Sequence, residues 1–284
     1  MTGQLKERVK GSMEIPSLPL IFTRIDEAVN NPKSSLADIG KIISEDPSLT
    51  ARLLQIVNSA LYNFPSKIET ISRAVTIVGT QQLRDLALAT SVMKLFRGIP
   101  EDLLSMEDFW RHSIACGVAA RVLATRRREA NVERFFVAGI LHDIGRLILF
   151  LECPDSVRPM LSRCKEKGEL LNKVEGEELG FDHTATGRTA LQNWKLPSSL
   201  EETVAYHHNP EAAARYPLEA ALIHIADIVT HVMELGSSGE RLVPPMSNQA
   251  WERSGLSPSE LSGVMKEVDR QYHEAIKWIL PEAA

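Results

Sequence analysis

Apolar residues recur along this chain at steps of three and four, segment after segment, which is the period of an α-helix. In "SLPLIFTRIDEAVNNP" they are Leu18, Ile21, Phe22, Ile25 and Val29, and Pro32 closes the segment. Punctuation agrees with the period. Ser35 with Asp38 three residues on is a variant capping box. Asp46 followed by Pro47 is a cap with proline at the first helical position, and the helix it opens carries Leu49, Leu53, Ile56 and Leu61 on one stripe. "IETISRAVTIVG" repeats the pattern with Ile68, Ile71, Val75 and Val78, then Gly79 as a stop, and Thr80 is a candidate cap for the next helix. No convincing strand alternation interrupts the series. The expected fold class is all-α.

A polar, proline-bearing break, "RGIPEDLLSMED", falls near residues 97–108. Beyond it the expected helices lengthen, at about 108–126, 132–151, 155–167, 183–194, 198–207, 216–234 and 258–279. Ser198 with Glu201, and Ser257 with Glu260, are further capping boxes. "LGSSGERLVPPMSNQ" is the longest loop, and its Gly, Ser and Pro content predicts a mobile surface segment. The organisation expected is a bundle of short helices over 1–100 packed on a longer-helix bundle over 101–284. A net charge of −5 argues against a broad nucleic-acid footprint, and Arg126, Arg127 and Arg128 read as a solvated helix end. Three cysteines without CxxC spacing, no apolar run of membrane length and no signal-peptide h-region predict reduced thiols in a cytoplasmic protein with no membrane partner.

Within this apolar framework "AGILHDIGRL" places His142 and Asp143 in a run that should be buried. Burying two titratable groups is costly unless they are paired or bound to something. In chain order, His112 comes before that pair, and His183, His207, His208 and Asp227 come after it. A lone helical histidine is ordinarily a satisfied core or surface residue, and paired histidines after an apolar run also suit a helix C-terminus. The ordered combination points instead to imidazole and carboxylate donors for Fe, Mn or Zn. It holds more donors than one tetrahedral site needs and fits two metals sharing a carboxylate. His224, Asp227 and His231 share one helical face, so Asp227 is equally readable as the partner of a neighbouring histidine. His273 reads as structural.

These residues resemble the HD superfamily of metal-dependent phosphohydrolases. That resemblance implies one metal on His112, His142 and Asp227, a second on His183, His207 and His208, and Asp143 bridging them. It implies two divalent transition-metal ions, iron first, with manganese or zinc as alternatives. "IPSLPLIFTRIDEAV", "IISEDPSLTARLLQIVNSALYNF", "IETISRAVTIVGTQQLRDLAL", "FWRHSIACG", "HTATGRTALQNWKLP" and "AYHHNP" together resemble the HDOD domain over about residues 13–210. HDOD domains are bacterial signalling and regulatory modules, many of which have lost the HD ligands. The resemblance therefore implies a regulatory module with a protein partner. The alternative is a metal-dependent phosphodiesterase or phosphohydrolase acting on a nucleotide or other phosphorylated small molecule; two-iron redox chemistry is a third reading. Two departures bear on the choice. "NPEAAARYP" after His208 lacks the Gly-Tyr-Pro loop of cyclic-dinucleotide phosphodiesterases, and Arg146 stands where HD hydrolases often carry lysine. Arg146 is the candidate for orienting a phosphate, with Lys195 second, and Asp108 lies one turn before His112.

Overall fold

The computed structural model describes residues 13–59, 61–62, 64–96 and 98–280. Among them there are fifteen α-helices and no strand. The short N-terminal helices are α1 Leu20–Asn30, α2 Leu36–Ser44, α3 Pro47–Val57, α4 Ile71–Val78 and α5 Thr80–Val92. The expected caps hold α2 and α3. Ser35 Oγ accepts from the Asp38 N–H at 3.2 Å while Asp38 accepts from the Ser35 N–H at 2.9 Å, and Asp46 accepts from the Leu49 N–H at 2.9 Å. Thr80 is not a cap: Gly79, at φ +100°, takes that position and Thr80 is the first helical residue.

Then come α6 Met106–Arg126, α7 Glu133–Leu141, α8 Ile144–Glu152, α9 Pro154–Lys167, α10 Leu171–Leu179, α11 His183–Asn193, α12 Ser198–Tyr206, α13 Pro217–Val232, α14 Asn248–Ser254 and α15 Pro258–Ile279. The structure corrects the sequence reading here as well. The helix expected over 132–151 is two helices broken at His142 and Asp143, where Asp143 sits at φ −100°, ψ 11°. Helices α10 and α14 were not expected. At Ser198 there is no capping box, because Pro197 occupies the cap position and Ser198 is already helical. At Ser257 the Glu260 carboxylate does accept from the Ser257 N–H, at 2.9 Å.

One hydrophobic cluster runs from Phe22 of α1 to Ile279 of α15. At its centre α6 packs against α7, α13 and α15, while α11 packs against α8 and α12. Two close crossings set these positions. A Cβ at Gly139 would lie 2.6 Å from the backbone of Gly117, so α6 and α7 approach nearer than any larger residue allows. A Cβ at Gly145 would lie 2.0 Å from the His183 carbonyl oxygen and 2.6 Å from the Gly187 nitrogen, so α8 and α11 also meet backbone to backbone. His112 is five residues before the first crossing and His142 three after it; Asp143, Arg146 and His183 flank the second. No described helix is long and apolar enough to cross a membrane.

Candidate metal centre

The two crossings converge the side chains that the sequence singled out. His112 comes from α6, His142 and Asp143 from the α7–α8 break, His183 from the start of α11, His207 and His208 from the end of α12, and Asp227 from α13. His112, His142, Asp143, His183, His207 and Asp227 are all at most 2% exposed, and His208 is partly exposed. The two Asp143 oxygens face opposite ways. Oδ2 lies 3.4 Å from His142 Nε2 and 3.9 Å from His112 Nε2; Asp227 Oδ1 closes this side at 3.1 Å from His112 Nε2 and 3.5 Å from His142 Nε2. Oδ1 lies 3.0 Å from His183 Nε2 and 3.6 Å from His207 Nε2, and His183 Nε2 is 3.2 Å from His208 Nε2.

Hydrogen bonds on the far ring nitrogens orient three of these imidazoles. His142 Nδ1 donates to the Gly139 carbonyl at 2.6 Å, His207 Nδ1 to the Val204 carbonyl at 2.8 Å, and His183 Nδ1 to the Glu175 carboxylate at 2.6 Å. Each donation aims Nε2 at the centre, where it offers a lone pair once the ring is neutral. His207 is braced again from behind, because His224 Nδ1 donates to its carbonyl at 2.7 Å and the Ser247 N–H donates to His224 Nε2 at 3.0 Å.

This donor set fits metal ions better than it fits internal hydrogen bonding. His112 Nε2, His142 Nε2, Asp143 Oδ1 and Asp227 Oδ1 are buried without a hydrogen-bond partner despite their mutual proximity. Orphaned buried polar atoms are costly, so three on the His112 side and one on the His183 side ask for occupants. Donors sharing a tetrahedral ion with bonds of about 2.0–2.1 Å lie roughly 3.3 Å apart, the spacing found here. The electrostatics of both carboxylates and of two of the imidazoles agree. Burial alone would raise the Asp143 carboxyl, but Arg146, His142 and His183 outweigh it and hold it well below the usual carboxylate range. Burial likewise opposes Asp227, where His112, His142 and His231 prevail in the same direction. Burial lowers His112 to about 4 and also lowers His207, keeping both rings neutral as ligands must be. At His183 burial is overridden by the charges of Glu175 and Asp143, which raise it to about 9, and at His142 burial is overridden in the same way by Cys116 and Asp143, so these two rings would release a proton to an arriving ion.

Arg146 is 1% exposed and already engaged. Its Nη1 donates to Ser238 Oγ at 2.6 Å and lies 3.4 Å from Asp143 Oδ2. Ser238 belongs to the loop expected to be mobile, which is instead tied down. Ser237 N–H donates to the Asp108 carbonyl at 3.0 Å, Gly236 leaves no room for a Cβ against Asp108 and His112, and buried Glu240 accepts from the Leu171 N–H at 2.7 Å. Loop composition does not reveal such anchors. Asp108 and Lys195 carry exposed side chains, and neither belongs to the donor groups. His273 pairs with Asp269 on the exposed face of α15. One neighbour of the centre was missed: Glu175, on the unexpected helix α10. His231, which the i+4 spacing offered as a partner of Asp227, places Nε2 3.3 Å from Asp227 Oδ1.

The family model of the HDOD domain matches residues 15–210. An HDOD domain protein of unknown function from Geobacter sulfurreducens is 25% identical and superposes with a TM-score of 0.78 over 98% of both chains. A candidate phosphohydrolase from Shewanella amazonensis SB2B, 24% identical, superposes with a TM-score of 0.74 over 98% of both chains, a likeness of fold. An uncharacterised protein of Treponema pallidum is 25% identical over 223 residues. That stretch is 78% of this chain and 43% of the relative, so the chain spans less than half the length of the curated protein it matches.

Proposed function

This chain belongs to the HDOD domain family, and on that footing we propose that it is a bacterial regulatory module built around a dinuclear metal centre. His112, His142 and Asp227 would hold one ion, His183, His207 and His208 the other, and Asp143 would bridge them. The observation that carries this reading is closure. Six of the seven donors are at most 2% exposed, and the Arg146 guanidinium is held by Ser238 rather than presented to a ligand. An open hydrolase site needs a phosphate-sized space beside Arg146. The cavity of about 340 Å³ in this region is lined by Asp108, Ser237, Gly239, Lys165 and Arg241, and by neither Arg146 nor any of the seven donors. Because the donors come from α6, the α7–α8 break, α11, α12 and α13, occupancy of the centre would set how these helices pack. The short helices before residue 100 would present that state to a protein partner.

A second reading keeps support from Arg146, which lies 3.4 Å from Asp143 Oδ2 and would meet a phosphoryl oxygen if Ser238 withdrew. Two divalent cations would then supply activated water and neutralise phosphoryl charge.

The discriminating experiment is elemental analysis of protein purified without added metal, beside the His142→Ala, Asp143→Ala variant, followed by assays on phosphodiesters and phosphomonoesters. Two equivalents of iron, manganese or zinc in the parent alone, with a higher Tm than the metal-free form and no turnover, supports the regulatory reading. Metal-dependent hydrolysis that the variant loses would replace it with the phosphohydrolase. No metal after reconstitution would overturn both.

A further inference from the structure

His231 stands four residues after Asp227 on α13, which puts the two side chains on one face. Its ring centroid is 4.7 Å from that of His112, and the donor atoms of His112, Asp227 and His231 lie within 4.8 Å of one another. A histidine in this position has two ordinary roles. As a buttress it donates an N–H to the carboxylate and fixes it. As a ligand it turns a lone pair toward the ion the carboxylate holds.

The arrangement around Asp227 separates the two. The Nε2 atoms of His112, His231 and His142 surround Asp227 Oδ1 at 3.1, 3.3 and 3.5 Å. Yet Oδ1 is buried with no hydrogen-bond partner, because none of the three is aligned for donation to it. A buttressing histidine would satisfy that oxygen. Nitrogens spread around one oxygen at these separations have instead the spacing of donors that share an ion, about 3.3 Å.

We propose that His231 is a direct ligand of the ion held by His112, His142 and Asp227. This rests on the dinuclear reading and deepens it, because the two halves of the centre become unequal. The His231 side would offer three imidazoles and two carboxylates, a set suited to five- or six-coordinate iron, manganese or cobalt. The other would offer three imidazoles and the shared Asp143, a four-donor set that suits zinc equally well. His231 is also the ligand on the solvent side: its side chain is 10% exposed, against 0% for His112 and 3% for Asp227.

The test is titration of the metal-free protein with Co²⁺, followed by calorimetry and by the visible absorption of bound cobalt. The parent is compared with His231→Ala and His231→Gln. Glutamine keeps an N–H that can buttress Asp227 but removes the imidazole. The expected result is two equivalents in the parent. In both variants one equivalent is unchanged and the other is weaker by roughly 10- to 100-fold, with an altered cobalt spectrum at that equivalent and a Tm showing that the fold is kept. Parent-like binding and spectrum for both equivalents in His231→Gln would overturn the assignment and leave His231 a buttress. A parent that binds fewer than two ions would overturn the dinuclear reading itself.

Discussion

Gly145→Ala is the sharpest perturbation of the scaffold that builds the centre. The new Cβ would lie 2.0 Å from the His183 carbonyl oxygen and 2.6 Å from the Gly187 nitrogen, both backbone atoms that cannot rotate away. Ordinary contact begins near 3.4 Å, so at the carbonyl α8 and α11 must separate by about 1.4 Å. Overpacking of this kind costs about 1–3 kcal/mol. In a chain of this size that is a fall in Tm of roughly 2–12 °C, at about 2–4 °C per kcal/mol. The same displacement acts on the centre, because Asp143 and Arg146 ride on α8 while His183 opens α11, and His183 Nε2 is only 3.0 Å from Asp143 Oδ1. Calorimetric melting of metal-free protein, with cobalt titration of the refolded sample, reads both effects. The expected outcome is a lower Tm and selective weakening of the equivalent that depends on His183. Gly187→Ala is the comparison: below 3.0 Å its Cβ would meet one side-chain atom, Val204 Cγ1 at 2.8 Å, and no backbone, so its effect should be smaller. An alanine at 145 that melts and binds like the parent would refute the proposed link between helix crossing and centre.

Glu175→Ala removes the acceptor that fixes the His183 ring, and calorimetric metal titration should show affinity at that half falling roughly 10- to 100-fold. Ser238→Ala removes a buried bond to a charged guanidinium, worth about 1.5–3 kcal/mol. A reduced Tm and faster hydrogen exchange at Ser237 and Gly239 would show the loop released. Glu267 on α15 is lowered to about 2, chiefly by its hydrogen bond from Arg270. Its folded value lies below the unfolded 4.5, so the unfolded chain binds more protons between them. Its contribution is present above pH 4.5 and lost as pH falls toward 2. The pair is partly exposed, so the contribution is about 0–1 kcal/mol, and Glu267→Gln should flatten a small part of the acid limb in Tm against pH.

Helical periodicity and caps made most elements legible because each depends on residues within a turn of one another. Ser35 with Asp38 and Asp46 before Pro47 behave as their local chemistry dictates. The donor set was legible for a different reason: polar residues in apolar runs are conspicuous where burial is costly. What stayed hidden depends on contacts distant in sequence. The break at His142 and Asp143 interrupts an unbroken apolar run, and nothing local announces that Gly145 must pass against His183. Ser238 looks like any loop serine until Arg146, 92 residues away, donates to it. Glu175 sits among exposed charges in "KVEGEEL", and only the tertiary position of His183 distinguishes it from Glu177 and Glu178. His231 shows the limit of spacing, since i+4 from Asp227 states that the two meet but not whether a proton or an ion lies between them.

The central claim is that the two oxygens of Asp143 face two separate ions. Anomalous diffraction from a crystal of manganese-loaded protein, collected on both sides of the metal edge, addresses it directly. The account predicts two peaks flanking Asp143, one among His112, His142 and Asp227 and the other among His183, His207 and His208. A single peak, or none at Asp143, would contradict it.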